Sequence, residues 1–188
     1  MGFRIYGINS SIVEPVRRDV IPSLGVPKQQ VLWLGCSDSG YEETRTLDLL
    51  PEEIFVVRNI GNLALDSDLA WASAVQYAIN ALQIKHIVVC GHYGCNVVRT
   101  RLPTRQNYHW QRHIRDLHRK HCYDLERVGE WDRDRQFVRL NVLAQMKNVR
   151  DLLQALESGS RDSIQIHGLV YDRAEDRAYR LVDPEVCT

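Results

Sequence analysis

Short apolar runs alternate with longer amphipathic stretches along this chain. The apolar runs predict five β-strands, over residues 31–35, 54–57, 86–90, 164–170 and 179–182. Continuous apolar strands separated by helices favour a mostly parallel sheet that is covered on both faces. We therefore expect an α/β fold with about four parallel strands and an antiparallel edge strand, flanked by helices.

Two stretches of the chain have helical periodicity. Between residues 66 and 83, with Asp66 or Ser67 as N-cap, apolar residues recur at positions 69, 70, 74, 77, 78, 81 and 82. Residues 133–156 predict a long amphipathic helix with one apolar face at positions 138, 142, 146, 149, 153 and 156. No linker, repeat or low-complexity segment interrupts the sequence, so we expect a single domain over residues 1–188.

Composition and charge narrow the function classes. The 188 residues suffice for a substantial core, and 24 basic residues balance 24 acidic ones. A neutral chain with no uncharged apolar run near ~20 residues predicts no nucleic-acid partner and no membrane span. The first residues lack a signal-peptide pattern, so we expect a cytoplasmic protein with reduced thiols. The five cysteines are then candidates for metal binding or nucleophilic chemistry.

Three candidate ligands follow two of the predicted strands. Cys36 follows the first strand, and His92 and Cys95 follow the third. The carboxyl ends of parallel strands meet at one edge of a sheet, where ligands bind. Two cysteines and one histidine suit tetrahedral zinc with a fourth position left over. Because two thiolates neutralise the ion, such a site should favour alkaline pH. The alternative is that these cysteines are small apolar core residues.

The flanking motifs resemble those of the β-class carbonic anhydrases. The sequence carries CSDSG at 36–40, FVVRN at 55–59 and HIVVCGHYGC at 86–95, and the likeness extends from about residue 32 to 182. The segments WQRHIRDLHRKH (110–121) and HGLVYD (167–172) are similar to those of fungal members.

This resemblance implies a zinc enzyme. One zinc ion per subunit would be held by Cys36, His92 and Cys95, with Asp38 beside it, and would activate water for attack on carbon dioxide to give bicarbonate. The resemblance also implies a homodimer, able to pair into a tetramer, with the sites at its interface. By position, the apolar wall beside the substrate would consist of Phe55, Ile60 and Tyr77, although all three also suit an ordinary core.

One departure from the family pattern concerns the neighbour of the metal. The family has an arginine two residues after the aspartate, where this chain has Gly40. Without a guanidinium partner, Asp38 should seek the next positive centre, so we hypothesise a closed state with Asp38 as fourth zinc ligand. The alternative is that backbone N–H groups, Arg45 or Arg58 hold Asp38 off the metal. If the missing arginine–aspartate ion pair stabilised the transition state by ~2–4 kcal/mol, its loss would lower the rate roughly 30- to 1000-fold.

Smaller departures lie near the expected pocket. A substrate-facing glutamine of the family is Pro27 here, and the glycine after the second cysteine is Asn96, which adds bulk and polarity beside the pocket. Only 35 residues precede Cys36, so we expect a short N-terminal arm and a less extensively swapped dimer.

The sequence therefore predicts weak, zinc-dependent hydration of carbon dioxide. One alternative is hydrolysis of carbonyl sulfide or carbon disulfide at the same zinc. Another is a non-catalytic zinc protein with a closed Cys₂HisAsp site. His109 and His113 form an i, i+4 pair that could bind metal, but the surrounding arginines and lysines favour a solvated surface helix.

Overall fold

The computed structural model describes residues 12–17, 20–101, 108–156 and 163–182. Within these residues the chain forms strands and helices in the order β1 (Ile12–Pro15), β2 (Val31–Cys36), α1 (Glu43–Leu47), β3 (Ile54–Asn59), α2 (Leu69–Asn80), β4 (His86–His92), α3 (His109–Glu126), α4 (Glu130–Ala155), β5 (Gln165–Asp172) and β6 (Arg177–Val182).

The strands form one six-stranded sheet in the order β1-β6-β5-β4-β2-β3. Strands β3, β2, β4 and β5 run parallel, and β6 pairs antiparallel with β5. The α/β fold and the four parallel strands are therefore confirmed. The last strand is antiparallel as expected, but it is not at the edge, because β1 pairs with its outer side. The short, mixed segment IVEP gives no strand signal by itself, and only pairing with β6 makes it a strand.

Apolar side chains cover both faces of the sheet. All six residues of β2 are buried, as expected of a central parallel strand. Leu32 and Leu34 belong to the larger core, while Val31 and Trp33 belong to a second core on the opposite face. The sheet therefore separates two apolar layers, and its carboxyl edge is left for polar chemistry.

The long helix α4 packs closely against β4 and β5. A Cβ atom at Gly91 would lie 2.8 Å from Val142 Cγ2, and one at Gly168 would clash with Met146 Sδ. Side chains at these two strand positions would push α4 off the sheet. The predicted apolar face of this helix is confirmed, since positions 138, 142, 146, 149 and 153 are buried.

The second helix differs from its prediction. Its N-cap is Asp68, whose Oδ1 accepts hydrogen bonds from the backbone N–H groups of Ala70 and Trp71, so neither Asp66 nor Ser67 caps the helix. Its buried residues are Trp71, Val75, Ala78 and Ile79. Of the predicted apolar positions, Leu69 and Tyr77 are 80% and 52% exposed. The larger side chains at i, i+4 and i+8 turn to the core instead.

The histidine-rich segment forms α3, which agrees with the predicted surface helix, although His121 is buried. The rings of His109 and His113 lie 5.4 Å apart on this helix. No helix within the described ranges has the length and apolar character needed to cross a membrane. Cys90 is fully buried in the second core, and Cys187 lies outside the described residues.

Candidate metal site and comparison with known proteins

Two adjacent parallel strands bring the predicted ligands together. Cys36 is the last residue of β2 and His92 the last residue of β4, and these strands pair directly. Cys95 follows through a turn in which Gly94 has a φ of 71°, a conformation that glycine adopts without strain. The side chains of Cys36, His92 and Cys95 thus meet at the carboxyl edge of the sheet.

The spacing of the three ligand atoms fits a single zinc ion. All three residues are buried, and their ligand atoms lie within 4.8 Å of one another. Cys36 Sγ and Cys95 Sγ are 3.8 Å apart. Two sulfurs bound at about 2.3 Å to one tetrahedral zinc lie about 3.8 Å apart, so the observed distance matches that geometry.

The imidazole of His92 is oriented for metal binding. Its Nδ1 lies 3.3 Å from the carbonyl oxygen of Tyr93. Its Nε2 is buried and has no hydrogen-bond partner among the described residues. A backbone contact at one ring nitrogen and a metal at the other is the usual arrangement of a zinc-binding histidine.

The ionisation of each thiol depends on the other. Their sulfurs lie 3.8 Å apart, and a hydrogen bond from one thiol to the other sulfur lowers the pKa of the accepting thiol and raises that of the donor. Two thiolates this close repel each other in a buried site, so the second ionises readily only beside a cation. The donor set therefore calls for a divalent metal.

Backbone N–H groups support both sulfurs. The N–H of Asp38 donates to Cys36 Sγ at 3.4 Å, and the backbone N–H of Gly61 also lowers the pKa of this thiol. The N–H groups of Val97 and Val98 donate to Cys95 Sγ at 3.4 and 3.3 Å. Such donors favour the ionised form of a thiol, which is the form that binds metal.

Arg58 on β3 holds the loop that follows β2. Its guanidinium donates to the carbonyl oxygens of Cys36 and Tyr41, both at 2.9 Å, and to Ser39 Oγ. It also pairs with Glu43 at 2.6 Å. The arginine thus fixes the segment that carries Asp38 without contacting its carboxylate.

Asn96 holds the carboxylate of Asp38 with both its backbone and its side chain. Asp38 Oδ2 accepts from the backbone N–H of Asn96 at 2.8 Å, and the Asn96 side-chain amide lies 3.3 Å from both carboxylate oxygens. Although burial raises the pKa of Asp38, these hydrogen bonds lower it below its ordinary value. Arg45 pairs with Asp176 instead. Of the sequence alternatives, Asp38 therefore meets a backbone N–H group and not an arginine.

A cavity of about 470 Å³ opens beside these ligands. A Cβ atom at Gly40 would have no heavy atom within 4 Å, so the missing arginine leaves space on this side. The far wall carries Arg135, which pairs with the buried Asp172 at 2.7 Å and lies 3.8 Å over the ring of Tyr93. The cavity is lined by Asp38, Gly40, His92, Tyr93, Gly94, Asn96, Arg135, Tyr171, Asp172, Arg173 and Ala174.

The residues predicted for the apolar wall do not line this cavity. The rings of Phe55 and Tyr77 contact each other edge to face, with centroids 5.7 Å apart. Tyr77 and Ile60 are 52% and 40% exposed. Ile60 directly follows Asn59, the register partner of Cys36, and Asn96 lines the cavity.

A family model described as carbonic anhydrase matches residues 31–177, which contain both cysteines, the histidine and the four parallel strands of the sheet. This chain belongs to the β-carbonic anhydrase family. A carbonic anhydrase of Emericella nidulans is 36% identical over 148 residues, covering 76% of this chain. The match spans 65% of that relative, slightly less than two thirds of its length.

Solved β-carbonic anhydrases share the fold. The enzyme CafD of Aspergillus fumigatus superposes with a TM-score of 0.80 at 36% identity, covering 91% of this chain and 99% of that one. A Sordaria macrospora structure, described as a tetrameric β-carbonic anhydrase, has a TM-score of 0.69 at 27% identity. The superposition covers 83% of this chain and 82% of the Sordaria macrospora chain.

The sequence does not mark several features of this β-carbonic anhydrase site. Asn96 is predicted beside the pocket, but no sequence pattern indicates its hydrogen bonds to Asp38. Arg135 and Asp172 are 37 positions apart and meet only in the fold. The HGLVYD motif at residues 167–172 contains Asp172. Arg135 has no such motif, because it lies in a helix whose other charged residues are mostly exposed.

Proposed function

We propose that this chain binds one zinc ion through Cys36, His92 and Cys95 and catalyses the reversible hydration of carbon dioxide to bicarbonate. The observation that carries the proposal is the 3.8 Å separation of two buried sulfurs beside a partnerless imidazole nitrogen. When bound, zinc would supply a Lewis acid that makes water nucleophilic near neutral pH. The family of the chain supports the same assignment of metal and substrate.

The residues around the site would stabilise the sulfur ligands and orient a water molecule. The backbone N–H groups of Asp38, Gly61, Val97 and Val98 stabilise negative charge on the two sulfurs. The carboxylate of Asp38, with its Oδ2 3.9 Å from His92 Nε2, is placed to accept a hydrogen bond from a water molecule at the metal. A positioned acceptor of this kind orients the lone pair of the water toward an incoming electrophile.

We propose that the activity is weak compared with that of a chain carrying arginine at position 40. A guanidinium would hold Asp38 with two charge-assisted hydrogen bonds, whereas Asn96 offers neutral N–H groups. A neutral donor fixes the carboxylate less firmly and leaves it freer to approach the metal. The closed state with Asp38 as fourth ligand would then compete with the open one.

The apolar wall would be completed by a second copy of the chain. Phe55, Ile60 and Tyr77 do not line the cavity beside the ligands, and Ile60 and Tyr77 are substantially exposed. We propose a homodimer in which these residues approach the metal site of the partner, with a tetramer as the next larger assembly. Sedimentation of wild type and Tyr77→Arg tests this, since the variant should be monomeric and inactive. A dimer that persists in the variant with full activity contradicts it.

Stopped-flow hydration of carbon dioxide, measured together with zinc content, tests the function. We expect one zinc per chain, activity above background, and loss of both in Cys95→Ala. Cys122→Ser is the matched control, because Cys122 lies on α3 outside the ligand cluster. Zinc without hydration in the wild type would favour the non-catalytic zinc protein. Parallel assays with carbonyl sulfide and carbon disulfide would reveal the alternative substrates.

A further inference from the structure

The carboxylate of Asp38 is held by the backbone and the side chain of one residue, Asn96, in the neighbouring loop. The Asn96 backbone N–H donates to Oδ2 at 2.8 Å, and its side-chain nitrogen lies 3.3 Å from both oxygens. Asp38 is two residues beyond Cys36, and Asn96 directly follows Cys95. The contact therefore joins the two loops that carry the sulfur ligands.

The two arginines nearest to Asp38 in the sequence, Arg45 and Arg58, have other partners. Arg58 pairs with Glu43, and Arg45 pairs with Asp176. Asp38 Oδ2 lies 3.9 Å from His92 Nε2. The side-chain amide of Asn96 is thus the group that occupies the role left open by Gly40.

We propose that Asn96 is a positioning residue that replaces the arginine missing at position 40. Its side-chain amide retains Asp38 on the loop side of the site, so that the fourth position of the metal stays open. The inference rests on the proposed function, because it presupposes zinc at Cys36, His92 and Cys95. It also links two departures from the family pattern, since the asparagine compensates for the glycine.

The physical reason is competition for the carboxylate. A carboxylate with satisfied hydrogen bonds gains less by moving to a cation than one that faces solvent alone. Removal of the side-chain amide leaves one backbone N–H, and the free oxygen then turns to the metal. Loss of the amide should therefore convert an open site into a closed one.

Cobalt substitution tests this without requiring catalysis. The Co²⁺ d–d bands report the fourth ligand, and added thiocyanate binds the metal only where that position is open. We expect thiocyanate to change the wild-type spectrum and to bind at least tenfold more weakly to Asn96→Ala. Asn148→Ala is the control, since it removes the same amide from α4, away from the loops. Asn96→Gly provides a second variant should the alanine perturb the turn.

Rescue distinguishes positioning from general disruption. The double variant Gly40→Arg, Asn96→Ala should recover thiocyanate affinity to within about threefold of wild type, because the guanidinium then holds Asp38. Equal spectra and affinities in wild type and Asn96→Ala would overturn the inference, as would failure of the arginine to rescue. Absence of bound metal in every protein would instead overturn the proposed function, and the inference with it.

Discussion

Asn141 on α4 donates a hydrogen bond from its side-chain amide to the carbonyl oxygen of Gly61, at 3.0 Å. The backbone N–H of Gly61 in turn lowers the pKa of the Cys36 thiol. Helix α4 thus supports the first candidate zinc ligand through one intervening residue. Gly61 has a φ of 74°, a conformation that glycine adopts without strain.

Removal of this support should weaken metal binding. We expect Asn141→Ala to lower zinc affinity roughly tenfold, the lower end of the effect of losing a residue that orients a metal ligand. Zinc release to a chromophoric chelator measures the effect. Asn148→Ala is the matched control, because Asn148 lies on the same helix but donates its side-chain hydrogen bond to Gln145, at 3.0 Å, and not to Gly61. Equal zinc release from both variants would show that Asn141 does not support the site.

Restoration of arginine at position 40 should raise activity. The position has room for the side chain, since a Cβ atom there meets nothing within 4 Å. We expect Gly40→Arg to hydrate carbon dioxide roughly tenfold faster or more, which corresponds to about 1.4 kcal/mol in the barrier. Stopped-flow assays at equal zinc content measure it. An unchanged or lower rate with zinc still bound would defeat the explanation of weak activity.

A buried carboxylate anchors the segment before β2. Glu53 is fully buried and accepts hydrogen bonds from Ser23 Oγ at 2.8 Å, Leu24 N at 2.5 Å, Gln30 Nε2 at 2.9 Å and Leu50 N at 2.9 Å. Burial by itself raises the pKa of Glu53, but these donors lower it below the ordinary value of 4.5. Its contribution to stability is therefore present above that pH and is lost as the pH falls.

Glu53→Gln should destabilise the protein by about 2–4 kcal/mol. The amide of glutamine has one acceptor oxygen in place of two, and its NH₂ group would face N–H and O–H groups that now donate to Glu53. Urea unfolding at pH 7 measures the change. Glu52→Gln is the control, since the neighbouring residue is exposed. Similar midpoints for Glu53→Gln and Glu52→Gln would contradict the anchoring role.

The buried His167, which is paired with His86, should make the fold sensitive to acid. His86 Nδ1 and His167 Nε2 lie 3.2 Å apart on neighbouring strands. Burial, followed by the positive charges of His86 and Arg180, lowers the pKa of His167 from 6.5 to about 4. The unfolded chain therefore binds more protons between these pH values, and stability falls as the pH drops from 6.5 toward 4. The full loss is on the order of 3 kcal/mol.

His167→Gln should flatten this part of the stability curve, because glutamine does not titrate. Urea midpoints of wild type and variant, measured from pH 7 to pH 4, give the difference. His109→Gln, at an exposed histidine, should leave the slope unchanged. Parallel curves for wild type and His167→Gln would remove His167 as the source of acid sensitivity.

The sequence by itself determined the parallel core of the sheet and the cluster of candidate ligands. Strands β2, β3, β4 and β5 each contain a short run of mostly apolar residues, a local property that needs no tertiary contact to be recognised. Cys36, His92 and Cys95 follow from the rule that parallel strand ends meet at one edge, together with motifs that are local in the chain. The apolar face of α4 is likewise a matter of periodicity.

Tertiary structure alone decided what surrounds the ligands. Strand β1 exists through its pairing with β6, and the N-cap and buried face of α2 follow from packing against the sheet. The contact of Asn96 with Asp38 joins residues 58 positions apart, and that of Asn141 with Gly61 joins residues 80 positions apart. Hydrogen bonds between distant loops depend on distances of a few tenths of an ångström, which the folded backbone sets and local sequence patterns do not encode.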